Sequence, residues 1–167
     1  MRNPCRILPS IALAALALAT TTSHAAASDD QAVVHVLEAV THAIEKHDLA
    51  SVDDLWIADA TFSVIDNGDA SYGDWKSFRE HTLTPELEPM KHLTFELLNV
   101  RPHVVGSLAW ITYEYRIKAE VKDRPMLSEG AATLVLRRVK NNWLATHVNI
   151  SSKREEETHD GSPPKQH

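Results

Sequence analysis

Apolar positions along this chain change their period partway through. Val33, Val36, Leu37, Val40 and Ile44 recur at spacings of three and four. That spacing predicts one apolar face of a helix running to about Lys46. Just ahead of it, Ser28-Asp29-Asp30-Gln31 has the form of a capping box, with Ser28 as the cap. Asp48 is placed to cap a second, shorter helix that turns Leu49, Val52, Leu55 and Trp56 inward. Thr61 to Ile65 is β-branched and aromatic and predicts a strand. Asp66-Asn67-Gly68-Asp69 predicts a hairpin turn, because Asn-Gly tolerates the positive φ angles of tight turns. Ala70 to Gly73 is the short return strand. Asp74 caps a third helix with Trp75 and Phe78 on one side. Pro85 is expected to interrupt it, and Leu87 and Met90 to add one further turn.

From Leu93 the period becomes two. Leu93–Val100, Leu108–Val121, Ala131–Val139 and Trp143–Ser152 predict four strands. Their links are short: Pro102 to Ser107, Asp123-Arg124-Pro125, and Lys140-Asn141-Asn142. Links of this length make neighbours antiparallel. Helices first and a strand meander afterwards predict an α+β fold, with the helices on one face of a curved, mostly antiparallel sheet.

The N-terminus changes the picture of where this domain works. Arg2 and Arg6 precede an apolar stretch from Ile7 to Ala19, and Ser23-His24-Ala25 supplies small residues at a cleavage point. Residues 1–25 therefore read as an export signal, and the run is too short for a membrane span. The expectation is a periplasmic or secreted protein: a domain over residues 28–152, then a polar, disordered tail over residues 153–167. The single cysteine, Cys5, would leave with the signal. Disulfides, thiol nucleophiles and Cys-ligated metals are then excluded. The net charge of −6 without a basic stripe argues against nucleic acid and anionic membrane as partners. No His-x-x-x-His pair occurs among the ten histidines, and no Gly-rich phosphate loop or Gly-x-Ser-x-Gly elbow is present. No metal and no cofactor are expected.

His47-Asp48-Leu49, Ala58-Asp59-Ala60-Thr61-Phe62 and the closing Trp143-x-x-x-His147-x-x-x-Ser151 stand in a characteristic order with the helices and strands. Trp75 to His81 and Pro85 to Lys91 add a third-helix pattern. Together they resemble the SnoaL-like branch of the nuclear transport factor 2 (NTF2) superfamily, over about Ala32 to Ser152. The resemblance implies a cone: a bent sheet wrapping helices, with an apolar pocket open at one end. It also implies that the convex sheet face often makes a homodimer. Members include isomerases, cyclases, dehydratases and non-enzymes, so the fold alone does not settle function. In ketosteroid isomerase-like members a carboxylate base faces a Tyr and a protonated Asp. The matching positions here are Val64, Val40 and one near Thr133. None carries an acid–base group, so that mechanism is not expected.

Strand parity sorts the remaining candidates. Ile111, Tyr113, Tyr115, Ile117, Ala119 and Val121 share a face that should look into the cone. Thr112, Glu114, Arg116, Lys118 and Glu120 share the other, where Glu114 and Arg116 could pair along the strand. On the last strand the apolar set Leu144, Thr146, Val148 and Ile150 is expected inward. Trp143, Ala145, His147, Asn149 and Ser151 then face outward, where His147 and Asn149 are expected to serve sheet pairing or a subunit contact. Asp66 shares parity with Phe62 and Val64 and is the remaining candidate for a general base at the pocket mouth. Against that, Asp before Asn-Gly is an ordinary turn residue. The expected pocket set is Trp56, Phe62, Asp66, Trp75, Phe78, His81, Tyr113 and Tyr115. Three functions remain open. One is binding of a small hydrophobic molecule. Another is a cofactor-free isomerase, lyase or cyclase using Asp66 with Tyr113 or His81. The third is a dimerisation domain with a filled cone.

Overall fold

The computed structural model describes residues 21–153, with side chains from residue 29 onward. Helix α1 spans Thr21–Lys46. A 3-10 helix follows at Leu49–Leu55. The hairpin β1 (Phe62–Asp66) and β2 (Asp69–Gly73) leads to α2 (Trp75–Phe78), a π-helical turn (Arg79–Leu83) and α3 (Thr84–Leu87). Four long strands close the domain: β3 (Met90–Val105), β4 (Leu108–Val121), β5 (Arg124–Val139) and β6 (Asn142–Ser152). All six strands form one sheet in the order β2-β1-β6-β5-β4-β3. Only β1 and β6 run parallel; every other neighbouring pair is antiparallel. The fold is the α+β cone expected, with the N-terminal helices on the concave face.

The helix pattern holds, since Val33, Val36, Leu37 and Val40 are all buried. Their partners are the inward residues of the sheet, among them Ile111, Leu134 and Leu136. A buried side chain of this size contributes about 1.5–3 kcal/mol, so this layer holds the cone together. The hairpin turn also holds: Asn67 and Gly68 adopt φ 50° and 97°, a conformation in which a two-residue turn matches the strand twist. Asp74 caps α2, accepting from the Ser77 N–H at 2.9 Å.

Several boundaries differ from the sequence expectation. Helix α1 is already formed at Thr21, the first residue described, so Ser28 lies within it and is not its cap. Asp48 makes no side-chain cap bond; its carbonyl instead accepts from Ser51 Oγ at 2.6 Å. Pro85 does not break the third helix. Residues 75–87 wind as one continuous helix, and the chain widens into the π-helical turn Arg79–Leu83 just before the proline. Met90 opens β3 and adds no helical turn. Pro102 and Pro125 fall inside strands, so the connecting turns shrink to Gly106-Ser107 and Lys122-Asp123. Arg116 pairs across strands with Glu129 at 2.5 Å and Glu96 at 3.1 Å, not with Glu114 along its own. Lys153, the expected first residue of the tail, is bonded through its N–H to the Glu129 carbonyl at 2.6 Å. Most of the expected export signal, and the tail beyond Lys153, lie outside the described residues.

The largest correction concerns β6. Leu136 pairs with Ala145, but Val135 pairs with His147, so Thr146 is an extra residue in a β-bulge. The bulge reverses parity. Trp143 and Ala145 are buried with Val148, while Leu144 and Thr146 are not part of that face. His147 and Asn149, beyond the bulge, do face outward. His147 Nδ1 meets Ser63 Oγ of the adjacent strand at 2.8 Å.

Candidate functional site

Between the sheet and the helices lies a cavity of about 490 Å³. Helix α1 contributes Leu37, Val40, Thr41 and Ile44 to its wall; the segment from α2 to α3 contributes Trp75, Phe78, Thr82, Leu83, Glu86 and Leu87. Val64, Asp66, Tyr113, Tyr115, Ala132, Leu134, Val148 and Ile150 come from the sheet. Six of the eight expected pocket residues line it: Trp56, Asp66, Trp75, Phe78, Tyr113 and Tyr115. Phe62 is behind the wall, 1% exposed, with its ring 5.5 Å from Trp56 and 5.7 Å from Phe78. His81 is exposed and does not line the cavity. It lies in the π-helical turn, where the wider winding shifts side-chain phase, and Thr82 and Leu83 reach the pocket in its place.

The aromatic wall is ordered by a specific device. Trp56 and Trp75 stack at 4.4 Å with an interplanar angle of 6°. Trp75 Nε1 donates to Asp53 at 2.7 Å, and Arg79 donates to both Asp53 oxygens at 2.9 and 2.7 Å. Asp53 therefore ties the 3-10 helix to α2 and the turn after it. Among the described residues, Trp56 Nε1 is buried without a hydrogen-bond partner.

The two tyrosines differ. Gly130 lies between Tyr115 and Ser152 in the sheet register. With no side chain there, the Tyr115 hydroxyl crosses the glycine and meets Ser152 Oγ at 2.8 Å. A Cβ on Gly130 would fall 2.7 Å from that hydroxyl and 2.2 Å from the Ser151 carbonyl. Tyr115 is thus engaged in holding β4 to the end of β6. Tyr113 lies one inward rung away. It is 8% exposed, and its hydroxyl makes no hydrogen bond among the described residues. Burial, and then the neighbouring Tyr115, push its phenol well above the ordinary value, so it is a neutral hydroxyl.

Register places Tyr113 opposite Ala132, Ala132 opposite Ile150, and Ile150 opposite Asp66. These four inward residues form one row across the concave face. Asp66 at its end is raised above the ordinary carboxylate value, first by burial and then by Asp69. Glu86, from α3, is raised by burial and then by Asp66. Glu86 was not expected from sequence. Only the helical turn after Pro85 brings it to the mouth, and no short motif marks it. Asp66, Asp69 and Glu86 are the only charged residues on the cavity wall among those described, and none of them has a cationic partner there.

The positions that match the isomerase set are apolar or face away from the cavity. Val64 and Val40 line the cavity and are apolar. Thr133 faces the convex side, in a groove with Asn99, Arg101, Glu114 and Asn149. Its inward neighbours, Ala132 and Leu134, carry no acid either. Among the described residues no group of three or more His, Cys, Asp or Glu is arranged to hold a metal.

Fold and cavity together define a cone-shaped α+β domain with a pocket enclosed between its sheet and helices. The chain belongs to the SnoaL-like domain family, which matches residues 33–154. Among solved structures it is similar to an NTF2-like superfamily protein from Salmonella enterica, with 17% identity and a TM-score of 0.70 over 81% of this chain and 99% of that one. A candidate dehydratase of the NTF2-like family from Streptomyces avermitilis shows 19% identity and a TM-score of 0.65, over 75% and 98% of the two chains. A hexachlorocyclohexane dehydrochlorinase shows 12% identity and a TM-score of 0.67, over 80% and 90%. At these identities the likeness is one of fold. No curated protein matches the sequence.

Proposed function

We propose that this protein binds a small, largely apolar organic molecule inside its cone, and that it does so after export to the periplasm or beyond. The observation that carries the reading is the cavity of about 490 Å³ with a wall of Trp56, Trp75 and Phe78. Pockets for small organic molecules run from about 300 to 1,000 Å³ and are apolar with a few polar groups. A filled cone, as a pure dimerisation domain would have, fits this volume poorly. Binding of Nile red, read by its emission and by quenching of Trp56 and Trp75, tests the proposal. Absence of both signals would sink it. The convex groove at Asn99, Arg101 and Asn149 is the surface on which two copies would pair. Light scattering on the purified chain reads that directly.

A second reading is favoured by one feature. Asp66 is a carboxylate with its pKa raised by burial, and it faces a cavity that also holds a neutral phenol. A base of that kind suits proton abstraction without a cofactor. Turnover of a substrate by the wild type and by Asp66→Asn alike would remove Asp66 from that role. Loss of turnover with the fold intact would support it.

A further inference from the structure

We infer that the ligand of this cavity carries a protonated amine, held at the mouth between Asp66 and Glu86, on an aromatic or alicyclic body lying against Trp56, Trp75 and Phe78. The inference rests on the proposed reading of the cavity as a ligand site and names the chemical class it takes. Three observations carry it. First, the charge on the cavity wall is of one sign: Asp66, Asp69 and Glu86 face inward with no Lys, Arg or His among the lining residues. The nine ion pairs of the described residues include none of these three carboxylates. Like charges brought together and partly desolvated cost stability unless a cation joins them. Burial raises both Asp66 and Glu86, with Asp69 adding to the first and Asp66 to the second, the strain that an ammonium group would relieve.

Second, the Tyr113 side chain is nine-tenths buried, lines the cavity and has no hydrogen-bond partner for its hydroxyl among the described residues, on the same row as Asp66. Three strand spacings separate their backbones, about 14 Å along the sheet before curvature. The intervening side chains are Ala132 and Ile150. The phenol and the carboxylate thus line one cavity of about 490 Å³ from the two ends of this row, which leaves room for one compact molecule between them. Third, the rest of the wall is mostly aromatic and apolar, broken only by neutral polar residues such as Thr41, Ser71 and Thr82. Such a wall excludes a small hydrated metal ion as the natural occupant and suits an organic cation, whose charge also interacts with aromatic faces.

Charge matching then decides among ligands of one shape. A hydrogen bond to a charged group contributes about 1.5–3 kcal/mol, and 1.4 kcal/mol is about a factor of ten in affinity. The carboxylates are partly exposed, which places the expected gain near the lower end. The probes are phenethylamine, phenethyl alcohol and phenylacetate, titrated calorimetrically into the purified chain at neutral pH. Nile red displacement serves as the second readout. Phenethylamine should bind about tenfold more tightly than the alcohol, and phenylacetate more weakly than either. In the double variant Asp66→Asn/Glu86→Gln the amine should lose that advantage while the alcohol binds as before. Equal binding of amine and alcohol to the wild type would overturn the amine assignment and leave the pocket reading standing. An amine preference that survives the double variant would overturn the role of Asp66 and Glu86. If Nile red and all three probes fail to bind, both the assignment and the pocket reading fall.

Discussion

Removal of the Asp53 carboxylate should loosen the aromatic wall of the pocket. Asp53 accepts from Trp75 Nε1 at 2.7 Å and from Arg79 at 2.9 and 2.7 Å. Trp75 is 4% exposed, so in Asp53→Ala its indole N–H is left buried with no acceptor. That alone costs about 1–3 kcal/mol. Arg79 keeps its 3.0 Å contact with Glu80, and the Asp53 side chain is 42% exposed. The ion-pair part is therefore worth only the surface value, up to about 1 kcal/mol. Asp53→Ala should lose about 2–3 kcal/mol in urea unfolding at constant slope. Asp53→Asn keeps an amide oxygen for the indole and should lose about 1 kcal/mol. Near-ultraviolet circular dichroism of the stacked Trp56–Trp75 pair should weaken in Asp53→Ala and persist in Asp53→Asn. A loss below about 0.5 kcal/mol in Asp53→Ala, or equal losses in the two variants, would refute the bridging role.

Asp66→Asn and Glu86→Gln should each raise stability at neutral pH by about 0.5 kcal/mol, discounted for partial exposure. Both carboxyls are raised in the folded protein above their ordinary values of 3.8 and 4.5. The folded chain thus holds these protons more tightly than the unfolded one, and the stability they carry is whole below that range and lost as pH rises through the raised values. Thermal melts should separate variant from wild type at neutral pH and converge at about pH 3; a gap that persists in acid would contradict the cause. Gly130→Ala should cost at least about 3 kcal/mol, because the new Cβ meets the Ser151 backbone at 2.2 Å and not a side chain that can swing away. Chemical denaturation reads it, and a near-neutral result would mean that β6 is free to shift. Tyr115→Phe should lose about 1 kcal/mol with its bond to Ser152, whereas Tyr113→Phe should be neutral or mildly stabilising in the absence of ligand. Equal losses in the two would show that Tyr113 has a protein partner after all.

Much of the fold was legible because it depends on period and punctuation. The helical spacing from Val33 to Val40, the Asn67-Gly68 turn and the alternation from Leu108 to Val121 each have a local physical cause. Those causes act within a few residues, so a window of sequence contains them. The pocket was legible where its residues lie on such elements. Trp56, Trp75, Phe78, Tyr113 and Tyr115 follow from burying one face of a helix or strand. Glu86 and Asp53 were not legible. Each is an ordinary acidic residue in a polar stretch, and each matters only through a partner far along the chain: Asp66 for one, Trp75 and Arg79 for the other. His81 failed for a related reason. An α-helical phase would carry it to the mouth, and the π-helical turn at Arg79–Leu83 changes that phase.

The closing strand shows why a right conclusion can follow from a wrong face. Simple alternation put Leu144, Thr146, Val148 and Ile150 inward as one set. The extra residue Thr146 breaks the set, so Trp143 and Ala145 turn inward before it and Val148 and Ile150 after it. The parallel β1 explains the break. Ser63 to Asp66 pair with His147 to Ile150 beyond the bulge, while before it the Ala145 carbonyl accepts the Ile57 N–H at 2.8 Å. Thr146 Oγ1 donates to the Thr61 carbonyl at 3.2 Å and lies 3.1 Å from Thr61 Oγ1. The bulge thus falls where β6 passes from the loop after the 3-10 helix to β1, and it lets one strand serve two partners. Trp143 then packs inward beneath Arg138, 4.5 Å from the ring centroid, while Ile150 reaches the row that joins Asp66 to Tyr113. Without the extra residue only one of those ends could face the cone. The bulge at Thr146 is therefore what allows the closing strand both to bury its tryptophan in the core and to place Asp66 on the cavity wall.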